Sequence, residues 1–180
     1  HKNDASDIYV IDLESNKVVN ITNDIFSESS PSWSLDGEII YFTSDRGENA
    51  NTNNMFEVDF SQTDIFQYSY KTNTVSQLTS TKYNENYPVA GSDGNLFYTA
   101  DYNGITNIFK HNLDNNEAFP ITNVITGVQQ IDLDSNNNLV FSGFKKRGWD
   151  LYLMNGLNKA SKTVSYTHLT IPTIGFGYRP

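Results

Sequence analysis

The chain repeats itself every 43 residues, and this period constrains its fold more than any other feature. Asp64-Ile65-Phe66, Asn107-Ile108-Phe109 and Asp150-Leu151-Tyr152 open equivalent short apolar runs, each 43 residues after the last. Leu78-Thr79 and Ile121-Thr122 close two of those runs at the same spacing. A fourth copy, Asp7-Ile8-Tyr9 through Ile21-Thr22, lies 57 residues upstream of its partner, so one unit carries 14 extra residues. Periods in the forties with strand-like content mark propeller blades.

Within each unit the order of signals is the same. A small or proline-led segment comes first, Ser30-Pro31-Ser32-Trp33-Ser34 or Tyr87-Pro88-Val89-Ala90-Gly91. A turn follows at Asp36-Gly37, Asp93-Gly94 or Asn136-Asn137-Asn138, built from residues that accept positive φ. Next is an aromatic strand: Ile39 to Thr43, Leu96 to Thr99, or Leu139 to Ser142. A second loop holds Asp45-Arg46-Gly47, Asp101-Tyr102-Asn103-Gly104 or Lys145-Lys146-Arg147-Gly148. A third strand and a fourth ending in Leu-Thr or Ile-Thr complete the unit. Four short strands joined by tight turns make one blade. No segment keeps apolar residues at helical spacing over three turns.

The fold class predicted is therefore all-β: a partial, unclosed propeller of roughly three and a half four-stranded antiparallel blades. Residues 1–29 supply the outer strands of a preceding blade, 30–86 a blade with an insertion at 48–63, 87–129 a further blade, and 130–163 an incomplete one. Closed propellers hold roughly four to eight blades, so the chain is expected to be a piece of a longer protein. Its terminal blades are expected to expose apolar faces. Inside the insertion, Glu48 to Asn54 reads as a polar loop, whereas Met55 to Phe60 alternates like a half-buried strand. Insertions in repeats map to loops, often on the binding face.

Composition narrows the functional classes. Lys and Arg total 12 against 21 Asp and Glu, a formal charge of -9 that argues against nucleic-acid binding. The chain has no cysteine, which excludes disulfides, thiolate metal sites and Cys nucleophiles. No apolar stretch approaches the roughly 18 residues of a membrane span. His1-Lys2-Asn3-Asp4 leads directly into a strand and shows no export signal.

From Val164 the pattern stops. Val164-Ser165-Tyr166-Thr167-His168-Leu169-Thr170-Ile171-Pro172-Thr173 resembles a translated sequencing adapter, differing at Ile171 alone. Residues 164–180 are accordingly expected to be a non-native tail, set aside from functional reasoning.

The remaining sequence offers little for catalysis. His111 occupies a slot filled by Tyr68 and Met154 in other units, so it is expected to be a solvent-facing or satisfied strand residue. There is no Gly-x-Ser-x-Gly elbow, phosphate loop or His-Glu-x-x-His pair. Asp36, Asp45, Asp93 and Asp101 recur at turns, which turn formation explains without paired-carboxylate chemistry. Trp149-Asp150 lacks the Gly-His that accompanies it in WD-type repeats. Ser34-Leu35-Asp36-Gly37 lacks the spacing of a sialidase Asp-box. Trp33 is expected to pack between neighbouring blades, with Trp33→Ala costing about 3–5 kcal/mol.

Pro31-Ser32-Trp33-Ser34-Leu35-Asp36-Gly37, followed by Tyr41 to Gly47, resembles the TolB-like propeller repeat, and Asp7-Ile8-Tyr9-Val10-Ile11-Asp12-Leu13 supplies its other half. The second unit keeps Pro88 and Asp93-Gly94 but has Ala90 for Trp. The third retains only the spacing and Phe141-Ser142-Gly143. The resemblance covers residues 7 to about 155. Leu96-Phe97-Tyr98-Thr99 gives a weaker one to low-density lipoprotein receptor-type propellers.

The TolB-like resemblance implies a non-catalytic protein-binding module of a larger bacterial envelope protein, periplasmic or otherwise exported, with no cofactor, metal or nucleic acid. Its alternative is the substrate-gating propeller of a prolyl-oligopeptidase-like or tricorn-like peptidase whose catalytic residues lie elsewhere. The candidate binding loops are Asp45, Arg46, Glu48, Asn51, Asn54, Tyr102, Asn103, Lys145, Lys146 and Arg147, because loops on a rigid scaffold carry recognition.

Overall fold

In the computed structural model of the chain, residues 5–47 and 60–157 are described. Among them the chain forms antiparallel sheets and no α-helix. β1 (Tyr9–Ile11) and β2 (Val18–Asn20) make a two-stranded sheet. β3 (Glu28–Trp33), β4 (Ile39–Ser44), β5 (Asp64–Ser69) and β6 (Thr74–Gln77) make a four-stranded sheet in chain order. β7 (Glu85–Ala90), β8 (Asn95–Ala100), β9 (Asn107–Asn112) and β10 (Glu117–Pro120) repeat that order. β11 (Val128–Leu133), β12 (Leu139–Lys145) and β13 (Gly148–Met154) make a three-stranded sheet. β3 and β7 each begin two residues before the proline-led segments that mark them in sequence. The chain divides into two compact units, residues 1–89 and 90–180.

The repeat has a physical cause in hydrogen bonds that recur at its own spacing. The hydroxyls of Thr22, Thr79 and Thr122 accept the buried N–H groups of Ile8, Ile65 and Ile108 at 2.9, 2.9 and 2.8 Å. Each Thr sits just beyond its outermost strand and ties it to the strand before, which is why the units end in Leu-Thr or Ile-Thr. Glu28, Glu85 and Val128 donate their N–H groups to the carbonyls of Ser6, Thr63 and Thr106, linking the start of one sheet to the preceding one. Buried backbone donors need such partners.

Side chains then fill the space between strands. Phe42 stacks on Phe66, Tyr98 on Phe109 and Phe141 on Tyr152, each pair directly opposed on the second and third strands of its sheet. In the first unit, Ile8 packs with Ile40, Phe42, Phe66 and Tyr68, with Val10, Ile21 and Val75 around them. The first strands carry a feature the sequence reading lacked. Ser30, Tyr87 and Gln130 occupy the same repeat position, and all have positive φ, 52°, 55° and 49°. The ladder shifts register across Ser30 and across Gln130, so these are β-bulges. Pro31 and Pro88 directly follow such residues, and bulges are among the few places where a strand tolerates Pro.

Turn chemistry follows expectation: Gly37, Gly94 and Asn137 take φ of 73°, 74° and 56°. Trp33 does not. It is 49% exposed and stacks on Tyr70, just beyond β5, ring centroids 5.5 Å apart, instead of being buried between sheets. Its position at the end of β3, after the bulge has reset the pleat, turns the indole outward. Apolar faces are exposed on β1–β2, through Tyr9, Ile11 and Val18, and on β13, through Trp149, Leu151 and Leu153.

Candidate functional site

Of the loop residues expected to bind, Asp45 and Arg46 are built into the first unit instead. Arg46 is only 5% exposed. Its Nη2 donates to Glu28 Oε1 at 2.5 Å, its Nη1 pairs with Asp24 Oδ2 at 3.0 Å, and its Nε donates to Ser44 Oγ at 2.9 Å. The guanidinium carbon lies 5.2–5.9 Å from the ring centroids of Phe26, Phe42 and Phe66. Burial pushes the Glu28 carboxyl up to about 7, against the opposing pull of Thr22 and Arg46. Asp45 accepts the Ser27 N–H at 2.8 Å, and burial raises its carboxyl too. A charged residue after a strand suggests a solvated loop; here the cation folds back because two carboxylates and three rings surround it. The available signal was Glu28, recurring as Glu85 at the repeat spacing on a strand the pattern marks as interior.

Tyr102 replaces Arg46 in the next repeat. It lies on a 3-10 turn, Tyr102–Gly104, with its ring edge-on to Phe109 at 6.2 Å. Phe109 is the repeat equivalent of Phe66, the ring Arg46 covers, so both residues cap the same aromatic position. Asn103, exposed, holds the turn with φ 60°. Glu48, Asn51 and Asn54 lie outside the described residues, as do residues 55–59 of the expected insert strand and the tail from 164.

Lys145, Lys146 and Arg147 stand out from these. Lys145 pairs with Gly148 across a two-residue turn whose central residues, Lys146 and Arg147, both have positive φ, 47° and 70°. Tight hairpins want such geometry but normally fill it with Asn or Gly, so two long cations are held here under backbone strain. Beside the turn, Phe144 and Trp149 meet edge to face at 5.4 Å. Trp149 forms one wall of a cleft of about 230 Å³, completed by residues 104–106 and 125–129. The opposite wall is pinned: the Phe144 N–H bonds the Gly127 carbonyl at 3.3 Å, and the Thr126 hydroxyl donates to the Phe144 carbonyl at 2.5 Å. Ile125, 75% exposed, stands at the rim with the half-exposed Trp149. The second unit thus brings Asn103, next to Gly104 of the cleft, and the basic turn, next to Trp149, to one concavity of mixed polar and apolar lining. Sequence placed both as loops; it gave no sign of Ile125 or of the Trp149 wall.

The turn carboxylates behave as turn formers. Asp36 accepts the Ser34 hydroxyl and the Glu38 N–H, and these bonds hold it below the usual carboxylate range. Asp93 pairs with Lys110 Nζ at 3.0 Å. His111 is buried, its Nε2 2.8 Å from Asn116 Oδ1. Among the described residues no cluster of three or more His, Asp or Glu is placed to hold a metal ion, and no helix is long and apolar enough to cross a membrane.

No protein-family model and no curated protein sequence matches the chain. Solved structures do. TolB from Acinetobacter baumannii superposes with a TM-score of 0.63 at 17% identity, over 86% of this chain and 36% of its own. The putative TolB from Agrobacterium tumefaciens gives 0.65 at 15% identity, over 83% and 52%. The fold is that of a partial TolB-like β-propeller. The four sheets of the described residues are its blades, two of them complete in four strands. The chain spans between about a third and a half of these TolB structures. Enzymes share the fold as well: Porphyromonas gingivalis dipeptidyl peptidase 4 aligns with a TM-score of 0.54 at 9% identity, over 82% of this chain and 28% of its own.

Proposed function

We propose that this TolB-like propeller chain is a non-catalytic module that binds a protein partner, within a larger exported envelope protein. The observation that carries the reading is the cleft of the second unit. Trp149, Phe144 and Ile125 offer exposed apolar and aromatic surface around a preformed concavity, and Trp and Arg dominate the energetics of protein interfaces. Lys145-Lys146-Arg147, the one basic run in a chain of net charge -9, gives the cleft a sign opposite to the rest of the molecule. That contrast selects an acidic partner and speeds its approach. The exported setting rests on the TolB-like resemblance, and the membership of a larger protein on the share of TolB that the chain spans.

A photo-crosslinking residue placed at Ile125, presented with bacterial envelope extract, tests the reading. A discrete protein adduct is expected, weakened by Trp149→Ala and by Lys146→Glu with Arg147→Glu while circular dichroism stays unchanged. An adduct pattern indifferent to all three changes would sink the cleft as the binding surface. Hydrolysis of peptide or polysaccharide substrates by the chain alone would sink its non-catalytic part.

A further inference from the structure

The link between β2 and β3 passes the end of β4, and charged side chains tie it there. Asp24 Oδ1 accepts the Phe26 N–H at 2.9 Å, while its Oδ2 pairs with Arg46. Asp45 accepts the Ser27 N–H, and its own N–H bonds the Ser27 carbonyl at 3.3 Å. Glu28 then opens β3, its N–H on the Ser6 carbonyl and its carbonyl taking the Ser6 hydroxyl at 2.9 Å. Its Oε1 accepts from both the Arg46 guanidinium and the Ser44 hydroxyl, the latter at 3.1 Å. Its Oε2 is buried and has no hydrogen-bond partner among the described residues.

Charge at this junction does not balance. The acids around Glu28 are Asp24 on the link, Asp45 beyond β4, Asp64 opposite Ser44 on β5 and Asp7 just after Ser6. Gln77 and Thr81 engage Asp64, and Asn20 engages Asp7. Arg46 is the cation of the group and serves Asp24 and Glu28 at once. An ionised Glu28 therefore leaves charge on an enclosed oxygen that nothing donates to, which is costly. A proton on Oε2 removes that cost and keeps both bonds to Oε1. The third repeat supplies the contrast: Val128 stands in the place of Glu28, and its N–H meets the Thr106 carbonyl without any acid.

We propose that this cluster is a proton-operated latch: protonated Glu28 fastens residues 24–27 to the end of β4, and its ionisation releases them, uncovering Arg46 and Phe26. The device lies wholly in the first unit and is independent of the cleft in the second. Burial supports its direction, pushing the Glu28 carboxyl up from 4.5 to about 7 and raising Asp45 as well. Opening returns Glu28 to water and to its ordinary value, so between those two values each opening sheds a proton. The latch is therefore firm below about 4.5 and weakens until pH has risen through about 7. From that window the opening equilibrium grows about 20-fold between pH 5.5 and 7.5. Segments held by a few such bonds open locally while the rest of the fold stays closed.

Amide hydrogen exchange of the full chain at pH 5.5 and 7.5, corrected for intrinsic rates, tests the latch. The opening equilibrium at Phe26, Ser27, Glu28 and Asp45 should rise about 20-fold, while that at Ile108 and Val128 changes less than about threefold. Glu28→Gln keeps a neutral side chain of the same shape at every pH. It should hold the rise at Ser27 and Asp45 below about threefold. In the unaltered chain, the carbon resonance of the Glu28 carboxyl should titrate near 7, a reading that needs no variant to fold. A midpoint in the ordinary carboxylate range overturns the proposal. Equal rises at Ser27 and Val128 overturn it too, because they would mark a loss of global stability instead of a local release. So does a rise that persists in folded Glu28→Gln.

Discussion

Replacing Arg46 with alanine separates a structural cation from a binding-loop cation. The guanidinium is buried against two carboxylates, one hydroxyl and three phenylalanine rings. Removing one partner of a buried ion pair costs about 3–5 kcal/mol, because the other charge is left uncompensated. The lost cation–ring contacts, about 0.5–2 kcal/mol, fall inside that range. Glu28 has one escape, which is to take up a proton. Its carboxyl is raised from 4.5 to about 7 even with Arg46 present, burial outweighing the hydrogen bonds and the cation. The folded chain therefore retains a proton that the unfolded chain has released between those values. This contribution to stability is complete below about pH 4.5 and lost as pH rises through about 7, by at most about 3 kcal/mol. Without Arg46 the carboxylate is penalised further, so Arg46→Ala is expected to cost the full 3–5 kcal/mol at pH 8 but only about 1–2 kcal/mol at pH 5, where Glu28 is neutral. Urea unfolding followed by tryptophan fluorescence at the two pH values measures both. Glu28→Gln should remove its share of the pH slope. The pair Glu28→Gln with Arg46→Met should be less destabilised than Arg46→Ala alone. A loss below about 1 kcal/mol, equal at both pH values, would refute the buried-charge reasoning and return Arg46 to the solvated loop suggested by its sequence context.

Three further outcomes are expected. Thr79→Val strands the buried Ile65 N–H and should cost about 1–3 kcal/mol in the same assay, with Thr79→Ser recovering most of it. Gly143→Ala would place a Cβ 2.9 Å from the Tyr152 ring; repacking the Phe141–Tyr152 stack should cost about 1–3 kcal/mol, seen as a shift in urea midpoint. Trp33→Ala, at a half-exposed indole stacked on Tyr70, should cost only about 1 kcal/mol; a loss of 3 kcal/mol or more would show Trp33 to be buried in solution.

The blades were legible because the same hydrogen bonds recur. A Thr hydroxyl that must meet a buried N–H 14 residues earlier leaves a mark at every repeat, as do Gly37 and Gly94 at turns needing positive φ. The positive φ shared by Ser30, Tyr87 and Gln130, with β-bulges at the first and last, was not legible, since no residue type announces it and only Pro31 and Pro88 hint at an irregular strand. The candidate site was half legible. Lys145, Lys146 and Arg147 show in sequence as a charge run, and Asn103 as a turn former. The cleft also needs Ile125 and Trp149, which read as ordinary apolar positions and meet only when β11 and β13 share a sheet.

The sequence by itself determined the period, the strand order within each blade and the positions of the tight turns. These depend on contacts within one strand, its turn or the next strand, and the repeat writes them several times over. The tertiary structure decided which charges are buried and which rings are exposed. Arg46 and Trp33 each end a strand region in the same repeat, yet one is enclosed by Asp24, Glu28 and three phenylalanines while the other turns outward onto Tyr70. Burial is a property of everything that converges on a point, and no local pattern around Arg46 or Trp33 carries it.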